Sequence, residues 1–366
     1  MITRRNGFLA GGALAVVGAG ATYAVVQDMG SLDDYNAAVA VTRATLRQAP
    51  EFDGLLRYAT LAPSGHNTQP WKFRVEENRI AILPDLARRT PVVDPDDHHL
   101  FVSLGCAVEN LSLASGARGR SGDIRFDPSD LGSAVFEFSR GEPSPSPLFD
   151  AIPGRQSSRS DYDGKPVGTA DLRTLTAAAA IPGVDLILIT DRPQINRVRE
   201  LVIAGNSAQM LDSAFVGELR NWIRFSPRQA LRTGDGLFSA TTGNPVLPAW
   251  LGPTFFDIAF KAAAENDKYA RQIASSPGIA VFVGEKEDHE HWVLAGRAAQ
   301  RFALQATVLG LKCAFLNQPV EVSSLRPALA NLIGLPDRRP DLVMRYGYGP
   351  IMPYSARRPV DQAIPV

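Results

Sequence analysis

The chain is poor in the features that would assign it quickly. It has 366 residues but only two cysteines, Cys106 and Cys313, too few for a disulfide framework. Each lies in an Ala/Leu-rich context and reads as a buried small hydrophobe. It has no excess of either charge: 38 Lys and Arg balance 38 Asp and Glu. A neutral chain sets up no global field for nucleic acid, and no basic amphipathic run marks a membrane surface. Any positive site must therefore be local. Ser64 and His66 have no visible acid partner nearby, which leaves a hydrolase triad without support. Hydrophobic residues at 45% and charged residues at 21% are ordinary for a soluble globular protein.

The N-terminus differs from the rest. Arg4-Arg5 precede an uncharged run from Asn6 to Gln27 that is rich in Gly and Ala and too weakly apolar for a good spanning helix. It reads as an export signal of the twin-arginine type over 1–30, with small-residue cleavage sites at Ala19-Gly20-Ala21 and Thr22-Tyr23-Ala24. Export would place the protein outside the cytoplasm. An unused or uncleaved signal would leave it cytoplasmic or membrane-tethered.

The remainder alternates helical and strand-like segments, which predicts an α+β fold. Helices are expected over 31–62, broken at Pro50. The alternation of "WKFRVEENRIAIL" about Glu77-Asn78 predicts a hairpin. A long apolar helix follows over 98–119, and a strand over 134–140. "GEPSPSP", 141–147, is a Pro/Ser linker and divides the chain into halves at 31–147 and 148–366. Beyond it come a helix at 170–180, a strand in "VDLILIT", helix over most of 193–224, a buried strand at 278–284, a helix at 295–311 and a last strand in "DLVMRYGYG". The two long helices can be laid on each other at a constant offset: Gly105, Ala107, Leu113 and Gly119 fall on Gly296, Ala298, Leu304 and Gly310. That pattern points to an internal duplication.

Two polar stretches carry candidate chemistry. "LAPSGHNTQPWKF" packs Pro63, Ser64, Gly65, His66, Asn67 and Gln69 into one loop. In "GRQSSRSDYDGKPV", Arg155, Ser157 and Arg159 alternate, and an extended backbone puts them on one face, as suits an anion. "DPDDHH", 94–99, reads as a helix N-terminus with acidic caps rather than a metal site. "EDHEHW", 287–292, reads as a solvated loop. The long Gly/Pro-punctuated stretch 224–248 reads as a lid.

The loop and the Arg-x-Ser-x-Arg element resemble those of the flavin-dependent nitroreductase superfamily. Ordinary members carry both in one short chain, which dimerises to hold FMN at the interface. Here the first half has the loop without the arginine element, and the second half has the arginine element without the loop. The layout resembles the double-length, Acg-type subgroup: two fused, degenerate copies forming a pseudo-dimer around one FMN site, complete in a monomer. The resemblance implies that Arg155 and Ser157 bind the FMN phosphate, ribityl chain or pyrimidine edge, and that Arg159 sits near N1/O2. It implies that Pro63, Ser64, Gly65 and Asn67 line the flavin, that Asn206 faces its pyrimidine, and that Asn317 and Gln318 lie near N5. Arg357, or Arg358 one residue on, would be the C-terminal cation on the phosphate. Gln69 and Trp71 are assigned to structure, and His66 to shaping the loop. Hydride transfer through N5 needs no side-chain acid or base, so no catalytic residue is assigned. The implied function is an FMN-dependent oxidoreductase with an unidentified small acceptor and NAD(P)H as a candidate donor. The rival is a non-enzymatic protein that sequesters FMN under a closed lid.

Overall fold

The computed structural model describes residues 29–44 and 52–364; the export-signal reading falls on residues outside these, apart from 29 and 30. In chain order the elements are α1 (Leu32–Arg43), α2 (Phe52–Thr60), β1 (Trp71–Glu76), β2 (Arg79–Pro84), α3 (His98–Gly116), β3 (Arg120–Asp127), β4 (Ser133–Arg140), α4 (Pro147–Ala151) and α5 (Thr169–Ala178). There follow β5 (Val184–Ile189), α6 (Arg192–Leu211), α7 (Ser213–Trp222), β6 (Ile223–Arg224), α8 (Pro227–Thr233), β7 (Leu237–Phe238), α9 (Gly252–Ala259) and α10 (Ala262–Ala274). The chain closes with β8 (Gly278–Gly284), α11 (His289–Val308), β9 (Lys312–Phe315), α12 (Gln318–Glu321), α13 (Arg326–Leu332) and β10 (Leu342–Gly347).

Two four-stranded antiparallel sheets organise this α+β fold, one on each side of the linker. Their orders are β1-β2-β4-β3 and β5-β8-β10-β9. In each, a long helix stands in the same place in the strand sequence, α3 in the first and α11 in the second. The central strand β8 is buried along its whole length, which is why "GIAVFVG" is apolar without alternation.

Helices α3 and α11 cross at contact distance through glycine. A Cβ on Gly105 would lie 2.0 Å from the Val293 carbonyl oxygen, and one on Gly296 would lie 2.0 Å from that of Val102. The contact is reciprocal, as in the interface of a symmetric dimer. Two polar contacts flank it: Asn110 Nδ2 donates to the Tyr58 carbonyl (3.0 Å), and Arg301 Nε donates to the Ala178 carbonyl (2.6 Å). Each ties a long helix to the last turns of the helix preceding its half's first strand.

One expectation is corrected, and one strand is added to those expected. Strand β3 had no sequence reading; "RSGDIRFD" is a mostly solvated edge with no clean apolar alternation. The stretch at 287–292 is not a loop: Asp288 caps α11 through the His291 amide, and His289 stacks on Phe101 at 3.8 Å. Residues 193–224 are mostly helical as expected, in two helices that meet at Asp212, whose side chain caps α7 through the Ala214 amide. Among the described residues no helix is long and apolar enough to cross a membrane.

Candidate functional site

The loop from Pro63 to Trp71 holds three non-glycine residues in the left-handed region: His66 (φ 46°), Asn67 (φ 55°) and Gln69 (φ 54°). Such backbone persists only where its surroundings over-determine it. Here the loop's own polar side chains do so. Ser64 Oγ accepts from the Gln69 amide (3.0 Å). Asn67 Nδ2 donates to the carbonyls of Gly236 (3.0 Å) and Ala356 (3.2 Å). Gln69 Nε2 donates to the Gly234 carbonyl (2.8 Å), and its Oε1 accepts from the Arg358 amide (3.0 Å). Trp71 is fully buried at the start of β1, as expected of a core residue.

What remains of the loop, Pro63 through His66, forms one wall of a cleft between the two halves. The cleft encloses about 1480 Å³ of empty space, part of it open to solvent. Thr90, Asp94, His99 and Cys106 extend the wall of the first half, and the second half contributes Arg159, Asn206, Asn317 and Gln318. Leu237, Ser239, Thr242 and Asn244, from within the stretch read as a lid, line part of it.

Seven of the sequence-predicted residues therefore meet here: Pro63, Ser64, Gly65, Arg159, Asn206, Asn317 and Gln318. The other five stand behind or beside the wall. Asn67 turns to the C-terminal segment. Arg155 is buried, and its Nη2 donates to the Leu61 carbonyl (3.0 Å). Ser157 pairs in parallel with Cys313 at the edge of the second sheet. Arg357 is enclosed by carbonyls: Nε donates to Thr60 (2.7 Å), Nη2 to Leu61 (3.2 Å) and Ala62 (3.1 Å), and Nη1 to Asn67 Oδ1 (2.8 Å). Arg358 Nη1 lies 4.0 Å from the Asp85 carboxylate. Arg155 and Asn67 are thus linked through Leu61 and Arg357 rather than lying in separate places.

Sequence reasoning missed Arg43. Its Nη1 donates to the Pro153 carbonyl (3.0 Å), and its guanidinium lies 4.3 Å from the Tyr354 ring centroid. Burial, and then the neighbouring Arg155, lower its pKa to about 9. Burial, then Arg43 and Arg155, also holds Arg357 far below the usual arginine range. Three guanidiniums thus gather with carbonyls as their recorded acceptors, a place that favours an anion.

The electrostatics of the cleft itself are uneven. No salt bridge joins Arg159 to a carboxylate among the described residues; burial lowers its pKa, while Tyr269, Glu265 and Tyr162 oppose that only through space. Burial, then Arg159 and His99, lowers His66 to about 4, and its Nδ1 has no hydrogen-bond partner. The Oε1 of Gln318 is also buried without a partner. On the opposite wall Asp94 accepts from the amides of His99 and Leu100 (3.0 Å each), which caps α3 as the sequence predicts. Asp94, His98 and His99 lie close enough together to be considered as metal ligands. Both Asp94 oxygens already serve the helix cap, however, and His98 Nε2 is held by Asp341 at 2.8 Å.

His66 yields a pH prediction. Its folded pKa of about 4 lies below the ordinary 6.5, so the unfolded chain binds more protons in between. The stability it contributes is present above pH 6.5 and is lost as pH falls through about 4. His66→Gln should flatten the decline of the urea midpoint over that window; an unchanged slope would contradict the assignment.

The fold and cleft define an α+β protein with two antiparallel sheets and a cation-bearing cavity between its halves. No protein-family model matches the chain. It is 27% identical over 325 residues, 85% of this chain and 90% of the relative, to "Putative NAD(P)H nitroreductase Rv3131" of Mycobacterium tuberculosis H37Rv. It is 25% identical over 324 residues, 85% of this chain and 94% of the relative, to "Putative NAD(P)H nitroreductase acg" of the same organism. This likeness over most of both chains supports a place for the chain in the nitroreductase family. Among solved structures, a Desulfitobacterium hafniense nitroreductase with bound FMN has a TM-score of 0.39 at 13% identity, covering 59% of this chain and 96% of its own. The FMN-dependent nitroreductase NfnB of Mycobacterium smegmatis, solved with NADPH, has a TM-score of 0.37 at 13% identity, covering 56% of this chain and 87% of its own. Overlap at that level decides nothing about this chain's chemistry.

Proposed function

We propose that the chain is an FMN-dependent oxidoreductase of the nitroreductase type that binds one flavin in the cleft. The observation that carries this reading is Arg159, a cation on the cavity wall with no carboxylate bonded to it. Leaving it there is costly unless a ligand supplies the negative charge. The unpartnered His66 Nδ1 and Gln318 Oε1 fit a ring that carries both hydrogen-bond donors and acceptors along its edge. Bound FMN would supply hydride exchange through N5, with NAD(P)H as the candidate donor and a small electrophile as the acceptor. Arg159 would stabilise the negative charge that reduction places at N1/O2. Pro63, Ser64 and Gly65 would support the ring from the first half, and Asn206, Asn317 and Gln318 from the second. The buried arginines around Arg155 and Arg357 would bias the phosphate end by their charge.

We also read the two halves as fused copies that form a pseudo-dimer, site-complete as a monomer. The matching strand orders and the reciprocal Gly105 and Gly296 contacts support this. Export by the twin-arginine route stays a proposal resting on the arginine pair and the uncharged run.

A second reading, a flavin holder that does not turn over, draws on Leu237, Ser239 and Thr242, which bring the stretch read as a lid onto the cleft wall. One preparation tests both. The purified protein is expected to be yellow, and its colour should bleach with NAD(P)H and return with a quinone or nitroaromatic. Tight flavin with no bleaching would favour the holder. A colourless protein that fails to take up added FMN would overturn both.

A further inference from the structure

Resting on the flavin reading above, we propose that His99 is the proton-transfer residue of the cleft: it protonates an acceptor oxygen as hydride arrives.

His99 is the second residue of α3 and lines the cavity. Its two ring nitrogens have distinct partners. Nδ1 faces Asp94 Oδ1 at 3.5 Å, and Nε2 lies 3.2 Å from Asn317 Nδ2. The Asn317 amide has a fixed sense, because the Val343 N–H donates to its Oδ1 at 3.0 Å. The nitrogen facing His99 is therefore a donor, and a donor there makes Nε2 an acceptor. The resting imidazole is thus the Nδ1–H tautomer, directed at a carboxylate that two helix amides hold in place. A carboxylate on Nδ1 orients the ring as in acid–base histidines, and Nε2, which accepts from Asn317 in the resting state, is the nitrogen left to exchange a proton.

Protonation changes the Asn317 contact. An Nε2–H would face the Asn317 N–H, donor against donor, so the added proton has no acceptor until a substrate oxygen supplies one. The charged groups around the ring are Asp94 and His98 beside it, Glu321 on α12, Arg339 before β10, and His66 on the same half's wall. Burial opposes the charged form, but Asp94 and then Glu321 outweigh it and raise the His99 pKa. Three other titratable groups on the cavity wall are poorly placed for exchange near neutrality: burial takes His66 down to about 4, and Cys106 and Tyr269 up to about 12.

The balance is simple. The hydride, supplied by the reduced cofactor, carries both electrons to the quinone. The oxygen left anionic takes the Nε2 proton, so one N–H bond breaks and one O–H bond forms. The imidazole returns to its neutral tautomer, and water at the cavity mouth restores the proton. Ferricyanide, which takes single electrons, needs no proton from the protein.

The test uses holoprotein reduced with dithionite and reoxidised in a stopped-flow instrument by benzoquinone or by ferricyanide. For His99→Gln the ratio of quinone to ferricyanide rate should fall by about 10²-fold, the usual worth of a positioned acid. The pH dependence of the quinone rate should flatten with it. An unchanged ratio, whether neither rate falls or both fall equally, would leave His99 at most a structural role and overturn the proposal. A second measurement needs neither variant nor flavin: ¹⁵N-histidine spectra of the flavin-free chain should show His99 as the Nδ1–H tautomer above its pKa. The Nε2–H tautomer would refute the arrangement. Wild-type protein that binds no flavin would instead count against the flavin reading alone.

Discussion

Arg159→Met should weaken FMN binding by about 10- to 10²-fold, measured by quenching of flavin fluorescence on titration. The figure follows from a charge-assisted hydrogen bond in a water-poor cleft, about 1.5–3 kcal/mol. Arg159→Lys keeps the charge but loses the planar fork, so it should fall between. The variant should also lower the reduction potential of whatever flavin it retains, because the negative charge formed at N1/O2 loses its partner. In the flavin-free protein no such loss is expected. Arg159 there is a half-buried cation with no salt bridge among the described residues, so a methionine of similar length should leave the apo chain about as stable. Lost affinity together with lost apo stability would mean that Arg159 is a structural residue. Unchanged affinity would remove the observation on which the functional reading rests.

The same contrast separates what could be read in the sequence from what could not. Arg159 was legible as part of a local Arg-x-Ser-x-Arg run, although Arg155 and Ser157 do not join it on the cleft wall as alternation on one face would require. The hairpin at Glu77-Asn78 and the two long helices were likewise legible from local pattern. The role of Asn67 was not. Gln69, in the same polar loop, was assigned to structure, in keeping with its bonds to Gly234 and Arg358. Asn67 turns away from the cleft to Gly236, Ala356 and Arg357, partners far along the chain that no local pattern announces. Arg43 was missed because it ends an ordinary amphipathic helix, and its function as a buried cation depends on Pro153 and Tyr354. His99 was read correctly as part of a helix start. Its access to the cleft appears only when Asn317 from the other half comes beside it. Local periodicity thus gave the elements, and pairing across the halves gave the site.

Arg357 carries the second large effect. The family resemblance makes it a phosphate ligand, while its geometry makes it a clamp. One guanidinium gathers the carbonyls of Thr60, Leu61 and Ala62, which end α2 and open the loop, and also holds Asn67, which keeps a left-handed backbone. Those carbonyls lie at a helix C-terminus, where acceptors are left over and a cation is welcome. Arg357→Met would strip several buried acceptors at once, and each loses about 1–3 kcal/mol when left unmet. The expected loss is therefore about 3 kcal/mol or more in urea unfolding, with the loop from Pro63 to Gln69 the first part to exchange its amides. Relief of repulsion from Arg43 and Arg155 acts the other way, since burial and those neighbours already disfavour the charge. The outcome decides between the two roles. A chain that unfolds more easily whether or not FMN is present marks a clamp. A chain of unchanged apo stability that has lost affinity for FMN and for inorganic phosphate alike would return Arg357 to the phosphate.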